Sequence, residues 1–357
     1  MTQQGSRSAY FSARPNIRLD GELHRALGET DLQALVVEET TLGLFRCEAN
    51  FLNWGEDGFV YFDRNLFDFG KTLAVEFGPP GADGPVFAGR ITGIEAQYPP
   101  DRPPEIQILA EDRFQDLRMA RRTRTFEDVS DEDVIREIAS KHGLNVELDL
   151  SGPTYPTLVQ FNQSDLAFLR ERAAAVDAEL WMDNRTLYIQ ARGRRNAGEL
   201  ALTWGKELLE FSVLADLAHQ RSRVRVSGWD PSNKAAIDEP AEAGAVEAEL
   251  AGGRGGGAVL AEALAAHDEP EALATPIGVE EASALAEAHY RRRARGFVRG
   301  FGVAEGHARL RVGSRLELKG LGTFFDGPYY VTLARHSFSL GEGYRTAFEV
   351  ERPGLGG

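Results

Sequence analysis

Residues 121–150 read RRTRTFEDVSDEDVIREIASKHGLNVELDL, and residues 155–190 read YPTLVQFNQSDLAFLRERAAAVDAELWMDNRTLYIQ. In the first stretch, apolar residues recur at helical spacing from Val134 onward. Ser130 is a good N-cap for that helix, and Asp133 stands where a capping box places an acid. Gly143 fits the position after the helix, where a left-handed turn is easiest without a Cβ. The first stretch therefore predicts a short capped helix between Ser130 and Gly143.

The second stretch predicts another helix followed by a hairpin. The helix begins at Asn162 or at Ser164. The Asn162 start would add a hydrophobic staple between Phe161 and Leu166. The run ELWMDNRTLYIQ then fits two strands around Asp183-Asn184 as the turn. Together, the two stretches predict an α/β unit in the middle of the chain.

The residues before this unit are typical of short β-strands. Residues 31–110 contain apolar or alternating runs, one of which covers residues 59–78. Segments rich in Gly, Pro, Asn and Asp separate the runs at residues 53–58, 78–81 and 99–104. Short strands at regular spacing with such turns indicate a sandwich or a barrel.

The residues after the unit become β-rich again from Leu200, with one interruption. Residues 232–277 are rich in Ala, Glu and Gly, so we expect a mobile excursion that builds little core. A helical stripe from Val279 then ends in an arginine cluster. We assign residues 1–115 to a first β part, 116–198 to the α/β unit, 199–231 and 296–357 to a second β part, and 232–295 to an insertion that ends in a helix. The fold class is α+β, mainly β, and the similar texture of the two β parts suggests a structural duplication.

The bulk composition excludes several classes of protein. The chain of 357 residues carries a net charge of −15, which argues against broad binding to nucleic acid. It has no apolar run long enough for a membrane helix and no apolar stretch of a signal peptide near the N-terminus. We therefore expect synthesis in the cytoplasm, without direct membrane binding. The single cysteine, Cys47, lies in a predicted strand and is expected to be a buried structural thiol.

No motif in the sequence indicates catalysis or a metal. The seven histidines are scattered, and none forms His-Glu-x-x-His; they are His24, His142, His219, His267, His289, His307 and His336. His142 is expected to complement a helix C-terminus. Acidic pairs, such as Glu38 with Glu39, are expected by chance in so acidic a chain, and a Gly-x-Ser-x-Gly elbow is absent. We expect no enzyme activity and no cofactor, and we assign no catalytic, metal or interface residues.

Three further features have a structural and a functional interpretation. The glycine run at residues 252–257 lacks the ending of a phosphate loop and is expected to be a flexible linker. The arginines at residues 291–295 are expected to form a solvated last helical turn, with a protein contact as the alternative. Trp54 and Trp229 could serve a carbohydrate-binding adhesin, although core or edge packing is favoured.

Four segments, in order along the chain, resemble the hub proteins of contractile injection machines. These are phage late control D proteins and the hub part of type VI secretion spikes. The segments are VFAGRITGIE at 86–95, RTRTF at 122–126, QFNQSDLAFL at 160–169, and GWDP at 228–231 together with residues 310–330. Gln163 stands where the family usually has Glu, a change that preserves the helix cap.

The resemblance implies two barrel domains similar to tail-tube subunits, with the α/β unit between them. It also implies a function as a structural baseplate hub. Three copies would present six barrels and join a hexameric inner tube to a three-fold spike. The chain ends shortly after the second β part, so we expect the spike to be a separate polypeptide, alongside other baseplate partners. The particle could be a phage tail, a tailocin or an extracellular injection system. A tail-associated cell-wall hydrolase and a carbohydrate-binding adhesin remain the alternatives.

Overall fold

The computed structural model describes residues 14–78, 84–231, 233–273 and 278–356. Two predictions fall partly outside these residues. One is the absence of a signal peptide near the N-terminus, and the other is the turn at residues 78–81. The first β part contains seven strands and one π-helical turn. They are β1 (Asn16–Leu19), β2 (Glu22–Leu23), the turn Leu27–Asp31, β3 (Leu32–Thr40), β4 (Arg46–Leu52), β5 (Thr72–Glu76), β6 (Phe87–Gln97) and β7 (Glu105–Glu111).

One run predicted as strand is mostly a loop. Of residues 59–78, only those of β5 form a strand. The Asn53 side chain explains the loop, because its Oδ1 accepts the backbone N–H groups of Val60 and Tyr61 at 2.9 and 2.7 Å. Tyr61 and Phe67 are buried in the core from this loop. The apolar residues that suggested a strand therefore fill the core without strand geometry.

The middle unit has the predicted helices and hairpin, although the hairpin turn is Asn184-Arg185 and not Asp183-Asn184. Its elements are α1 (Phe114–Arg118), β8 (Arg121–Ser130), α2 (Asp131–Lys141), β9 (Asn145–Asp149), β10 (Thr154–Ser164), α3 (Asp165–Ala175), β11 (Ala178–Asp183), β12 (Thr186–Ala191) and a 3-10 turn, Arg192–Arg194. β11, β12 and β9 form one small sheet, and β8 pairs with β10. α2 and α3 contribute to the core beside them.

The caps of the two longer helices follow from their sequences. Ser130 and Asp133 form the predicted capping box, and Gly143 adopts a φ of +62° after α2. Ser164 caps α3 by accepting the N–H of Ala167 at 3.1 Å. The alternative start at Asn162 is wrong, because that residue lies in β10 and Phe161 is 72% exposed, too exposed for a staple.

The second β part and its insertion complete the chain. The elements are β13 (Glu199–Thr203), β14 (Leu208–Ala215), β15 (Arg223–Asp230), β16 (Ala235–Glu242), a 3-10 helix (Ala243–Glu249), β17 (Arg254–Gly255), α4 (Gly256–Leu264), β18 (Asp268–Ala272), α5 (Val279–Arg295), β19 (Val298–Glu305), β20 (Arg315–Lys319), β21 (Gly327–Ser339), β22 (Gly343–Arg352) and β23 (Gly354–Leu355).

A single 13-stranded sheet runs through both β parts. Its order is β14-β19-β22-β21-β3-β4-β7-β6-β5-β1-β2, and β20 joins it beside β21 with β13 beyond. One hydrophobic core lies beneath the first half of this sheet, and a second core lies beneath the other half. The class predicted from the sequence, α+β and mainly β, is confirmed.

The insertion is better packed than its composition suggested. β16, β15 and β18 form a three-stranded sheet, and α5 packs on it; we call these four elements the inserted module. Its core includes Val224, Val226, Ile237, Ala286 and Tyr290. Of the buried members of this core, Ile237, Ala241 and Val246 belong to the described part of residues 232–277, and the others lie on β15 and α5. β15, assigned above to the second β part, belongs to this module.

The glycine run is also not a free linker. β17 pairs with β23, and Gly256 and Gly257 are buried where α4 begins. A Cβ on Gly257 would lie 2.6 Å from the carbonyl oxygen of Arg221, and one on Gly256 would lie 2.7 Å from Cγ of Phe297. These two glycines are required by close packing. The mobility expected for residues 232–277 stays a prediction, and residues 232 and 274–277 lie outside the described part.

Candidate functional site: the free edges of the sheet

The two halves of the large sheet repeat one strand order. In chain order, the first half contributes β3, β4, β6 and β7, and these lie as β3-β4-β7-β6. The second half contributes β14, β19, β21 and β22, and these lie as β14-β19-β22-β21. Both orders are first, second, fourth, third. The preceding strand pairs with the third in each half, as β5 with β6 and β20 with β21. The two β parts are therefore structural repeats.

A bulge at the same point of each half fixes how the repeats align. The register of β6 with β7 shifts between Ile91 and Gly93, and that of β21 with β22 shifts between Val331 and Leu333. The skipped residue is a threonine in both cases. Thr92 Oγ1 lies 3.5 Å from the Leu109 carbonyl oxygen, and Thr332 Oγ1 lies 3.4 Å from that of Glu349. The two halves thus share a threonine at the bulge of the third strand.

The halves meet where β21 pairs antiparallel with β3. This internal junction joins the third strand of one half to the first strand of the other. On the outer face, Glu38 accepts from Arg46 at 2.7 Å and from Arg335 Nε at 2.9 Å. Burial alone would raise the pKa of Glu38, but the hydrogen bonds and charges of the two arginines lower it. On the core side, Glu39 pairs with Arg311.

Besides β2 and β13, which are also paired on one side only, the same two types of strand have unpaired edges in the large sheet. Within the described residues, β14 pairs with no strand other than β19, apart from a single bridge between Leu208 and Trp204, and Gly93 to Gln97 of β6 pair only with β7. β14 is a first strand, and β6 is a third strand. Unpaired strand edges are templates for pairing with another chain. The candidate functional site is therefore this pair of edges, which the sequence analysis did not assign because backbone groups form them.

The predicted histidines do not come together in one site. His142 lies at the end of α2, as predicted, with Nε2 2.8 Å from Oδ2 of Asp165. His289 pairs with Glu271, and buried His336 has Nδ1 2.8 Å from the Tyr344 hydroxyl. Burial and the charge of Arg311 lower the pKa of His336 to about 3. His24, His219, His267 and His307 belong to other segments. Among the described residues, no cluster of three or more potential metal ligands is found.

The acidic residues in the first turn of α2 take part in a cap and in ion pairs. Asp131 is buried and pairs with Arg172 at 2.6 Å, and Glu132 pairs with Arg136 at 3.3 Å. Cys47 is fully buried, as predicted, and burial raises the pKa of its thiol. None of these contacts arranges two carboxylates around a cleft for acid–base chemistry.

The arginine cluster is partly buried, contrary to the solvated turn expected from the sequence. Arg295 lies between Asp177 and Glu249, and Arg293 pairs with Glu269. The cluster makes contacts within the protein because acidic residues of neighbouring elements surround this end of α5.

The two tryptophans considered for carbohydrate binding lie in different units. Trp54 is 50% exposed in the first half of the large sheet, and Trp229 is 52% exposed in the inserted module. Neither side chain is in the core, and Trp54 packs against Phe59 at the edge of the first half, with ring centroids 5.5 Å apart. In the described part of the chain, no helix is both long and apolar enough to cross a membrane.

The amino-acid sequence matches one known protein family. The sequence profile of the Alg8 N-terminal domain family matches residues 53–339, which is more than half of the chain. A comparison with curated proteins finds no match.

Several solved structures share the fold over nearly the whole chain. A 43 kDa tail protein of prophage MuSo2 from Shewanella oneidensis superposes with a TM-score of 0.71 at 11% identity, covering 96% of this chain and 99% of that one. A tail protein from Neisseria meningitidis gives 0.69 at 11% identity, with coverages of 96% and 97%. An E. coli type VI secretion component, described as similar to phage T4 tail proteins, gives 0.58 at 12% identity, with coverages of 94% and 76%.

The fold expected from the resemblance to tail hub proteins is thereby confirmed. The sequence match shows that the chain belongs to the family of the Alg8 N-terminal domain, and the superpositions show that it has a tail-protein fold.

Proposed function

We propose that this protein is the structural baseplate hub of a contractile injection machine. In this proposal, three copies pair head to tail through β6 and β14 and form a closed ring. The observation that carries the proposal is the repeated strand order, with the internal junction of β21 and β3 joining the same strand types that the free edges present. An edge contact between copies would then repeat a contact that the chain already makes within itself.

The strand count supports ring closure. Each chain supplies four strands from each half, eight in total, and every neighbour along β14-β19-β22-β21-β3-β4-β7-β6 is antiparallel. Because eight is even, β6 of one copy meets β14 of the next in antiparallel orientation. Three copies give three times eight, or 24 strands, in six similar half-sheets. A closed head-to-tail ring also satisfies every heterologous edge.

The ring would act as a symmetry adaptor. Its six half-sheets fit the hexameric inner tube that the resemblance implies, and its three-fold symmetry fits a three-fold spike. We therefore propose the inner tube protein, the spike and other baseplate components as partners, and an assembled tail-like particle as the final location. We propose no enzymatic function, since the titratable residues described above act in caps, ion pairs and packing.

The mass of the purified protein in solution tests this proposal. Light scattering after size exclusion should give three times 39.2 kDa, and electron micrographs should show rings with six lobes around a central opening. If the free protein is a monomer, the run is repeated with the candidate spike protein as a template. A monomer in both runs would overturn the hub proposal.

A further inference from the structure

We infer that β6 of one copy pairs with β14 of the next in the register of the internal junction, and that this contact covers an exposed aromatic patch. The inference rests on the proposed hub function and deepens it by naming the residues of the interface. At each of the two edges, the exposure of the side chains differs from that of their equivalents at the internal junction.

The equivalent residues follow from the bulges and the strand registers. The bulges align Gly93 with Leu333. From there, the ladder of the first half leads through Leu109 and Glu48 to Val36. The ladder of the second half leads through Glu349 and Phe301 to Ser212. Val36 of β3 is therefore equivalent to Ser212 of β14.

On the third strand, residues that are buried at the junction have exposed equivalents at the edge. Ala334, His336 and Phe338 of β21 face the core and are 0%, 0% and 5% exposed. Their equivalents in or just after β6 are Ile94, Ala96 and Tyr98, which are half-buried, exposed and 62% exposed, respectively. The side chains at the free edge therefore lack the neighbouring strand that buries their counterparts.

The first strand shows the same difference. Leu35, Val37 and Glu39 of β3 are almost completely buried beside β21. Their equivalents in β14 are Phe211, Val213 and Ala215, all of which remain half-buried. Both free edges thus present core-facing side chains that are incompletely covered.

The internal register predicts which residues meet across the new contact. At the junction, Phe338 lies opposite Leu35, and His336 lies opposite Val37. The equivalent pairs between copies are Tyr98 with Phe211, Ala96 with Val213, and Ile94 with Ala215. On the opposite face of the sheet, Glu95 meets Leu214 and Gln97 meets Ser212.

Tyr98 belongs to a patch of aromatic rings at the end of β6. Its ring centroid lies 6.0 Å from that of Phe59 and 6.2 Å from that of Phe62, and Phe59 lies 5.5 Å from Trp54. Trp54 and Phe59 are each about half exposed. Exposed apolar clusters of this kind often mark contact surfaces. The occupant is a second copy of this chain, because Phe211 on its β14 edge would lie opposite Tyr98 and continue the hydrophobic core between copies.

A cysteine pair tests the register. Directly opposed residues of antiparallel strands have Cα atoms ~4.5–5.5 Å apart, which suits a disulfide. The double variant Gln97→Cys with Ser212→Cys should therefore give covalent dimers and trimers on a non-reducing gel after mild oxidation. The control variant, Glu95→Cys with Ser212→Cys, is offset by two residues, or about 6.6 Å along the strand, and should give none. Native Cys47 is fully buried and present in both variants.

The outcomes separate this inference from the proposed function. Trimers in light scattering with no disulfide in the first variant, or with equal disulfide in the control, would overturn the register while the hub proposal stands. Monomers throughout, with the spike protein added, would overturn both.

A single substitution tests the aromatic contact independently. Tyr98→Ser should raise the protein concentration needed for half-assembly at least tenfold, because a buried ring at the interface is lost. Phe161→Ser removes a ring that is 72% exposed in the middle unit and should leave assembly within about twofold. Circular dichroism should show that both variants are folded. Unchanged assembly of folded Tyr98→Ser would show that the patch lies outside the contact.

Discussion

Arg295 holds Asp177 through two hydrogen bonds, 2.6 Å from Nη1 to Oδ1 and 2.7 Å from Nη2 to Oδ2. The same guanidinium group donates to both oxygens of Glu249 at 2.7 and 2.8 Å. Burial would lower the pKa of Arg295, but the hydrogen bonds and charges of Glu249 and Asp177 raise it. This network fixes the end of α5, and with it the inserted module, against the middle unit.

Replacing Arg295 by Met should lower the free energy of unfolding by about 3–5 kcal/mol, because two carboxylates then remain without their buried partner. Urea unfolding followed by circular dichroism measures the change. Arg254→Met is the matched control, since Arg254 and its partner Glu262 are both more than half exposed; its effect should stay within about 1 kcal/mol. Equal effects of the two variants would show that the buried network does not stabilise the fold.

Gly302 of β19 should tolerate no larger residue, because a Cβ there would overlap the Phe348 ring and lie 3.0 Å from Phe211. Gly302→Ala should cost about 1–3 kcal/mol in thermal or chemical unfolding. Gly341→Ala, in open space, should cost much less. Adding Phe348→Leu to Gly302→Ala should cost less than the sum of the two single changes, and strict additivity would contradict the overlap.

Asp165 should stabilise the protein at neutral pH and lose this effect in acid. It accepts hydrogen bonds from His142 at 2.8 Å, Gln160 at 3.0 Å and Arg122 at 3.1 Å. Burial alone would raise the pKa of Asp165, but the hydrogen bonds from His142 and Gln160 and the charge of Arg124 lower it. Because the folded state then binds fewer protons than the unfolded state, stability falls as the pH drops below about 4.

Asp165→Asn should therefore cost about 3 kcal/mol at pH 7 and less at pH 3.5, measured by urea unfolding at both values. Asp57→Asn in an exposed turn should change stability by less than about 0.5 kcal/mol at pH 7. A cost of Asp165→Asn that stays constant across this range would show that Asp165 does not titrate as inferred.

Asp112 should have the opposite pH dependence. Its two carboxyl oxygens accept the backbone N–H groups of Phe45 and Phe114, both at 3.0 Å. Burial raises the pKa of Asp112 to about 7, and the charges of Glu111 and Glu39 act in the same direction. Between about pH 4 and 7 the folded state thus binds more protons than the unfolded state, so this contribution to stability declines as the pH rises.

Asp112→Asn cannot titrate at this position. Comparing it with wild type therefore isolates the pH-dependent contribution of Asp112 to stability. The difference in unfolding free energy, wild type minus variant, should fall by at most about 1.4 kcal/mol per pH unit across that range. A difference that rises with pH would contradict the raised pKa.

Local signals in the sequence were sufficient for the middle unit. The capping box at Ser130, the cap at Ser164 and the turn at Asn184 each depend on neighbouring residues, so the sequence contains them directly. β19 has no clear strand pattern in the sequence, because Gly300 and Gly302 weaken the local preference for β structure. The structure shows why glycine is needed there: a Cβ on Gly300 would lie 2.5 Å from the Phe211 ring.

The candidate site could not be predicted for a similar reason. Strand edges bind through backbone groups, which every residue has. The side chains beside them, exposed Tyr98 and half-buried Phe211, are of types that are common in protein cores. Only the pairing of β21 with β3 shows that their equivalents are buried.

The two halves differ in one connection. Residues 41–45 link β3 to β4 directly, whereas residues 216–297 link β14 to β19 and carry the inserted module. In the proposed ring, the module therefore appears beside every second half-sheet. The ring of six similar half-sheets thus carries three inserted modules. A surrounding component could recognise these modules and bind in three copies, although the half-sheets themselves have nearly six-fold symmetry.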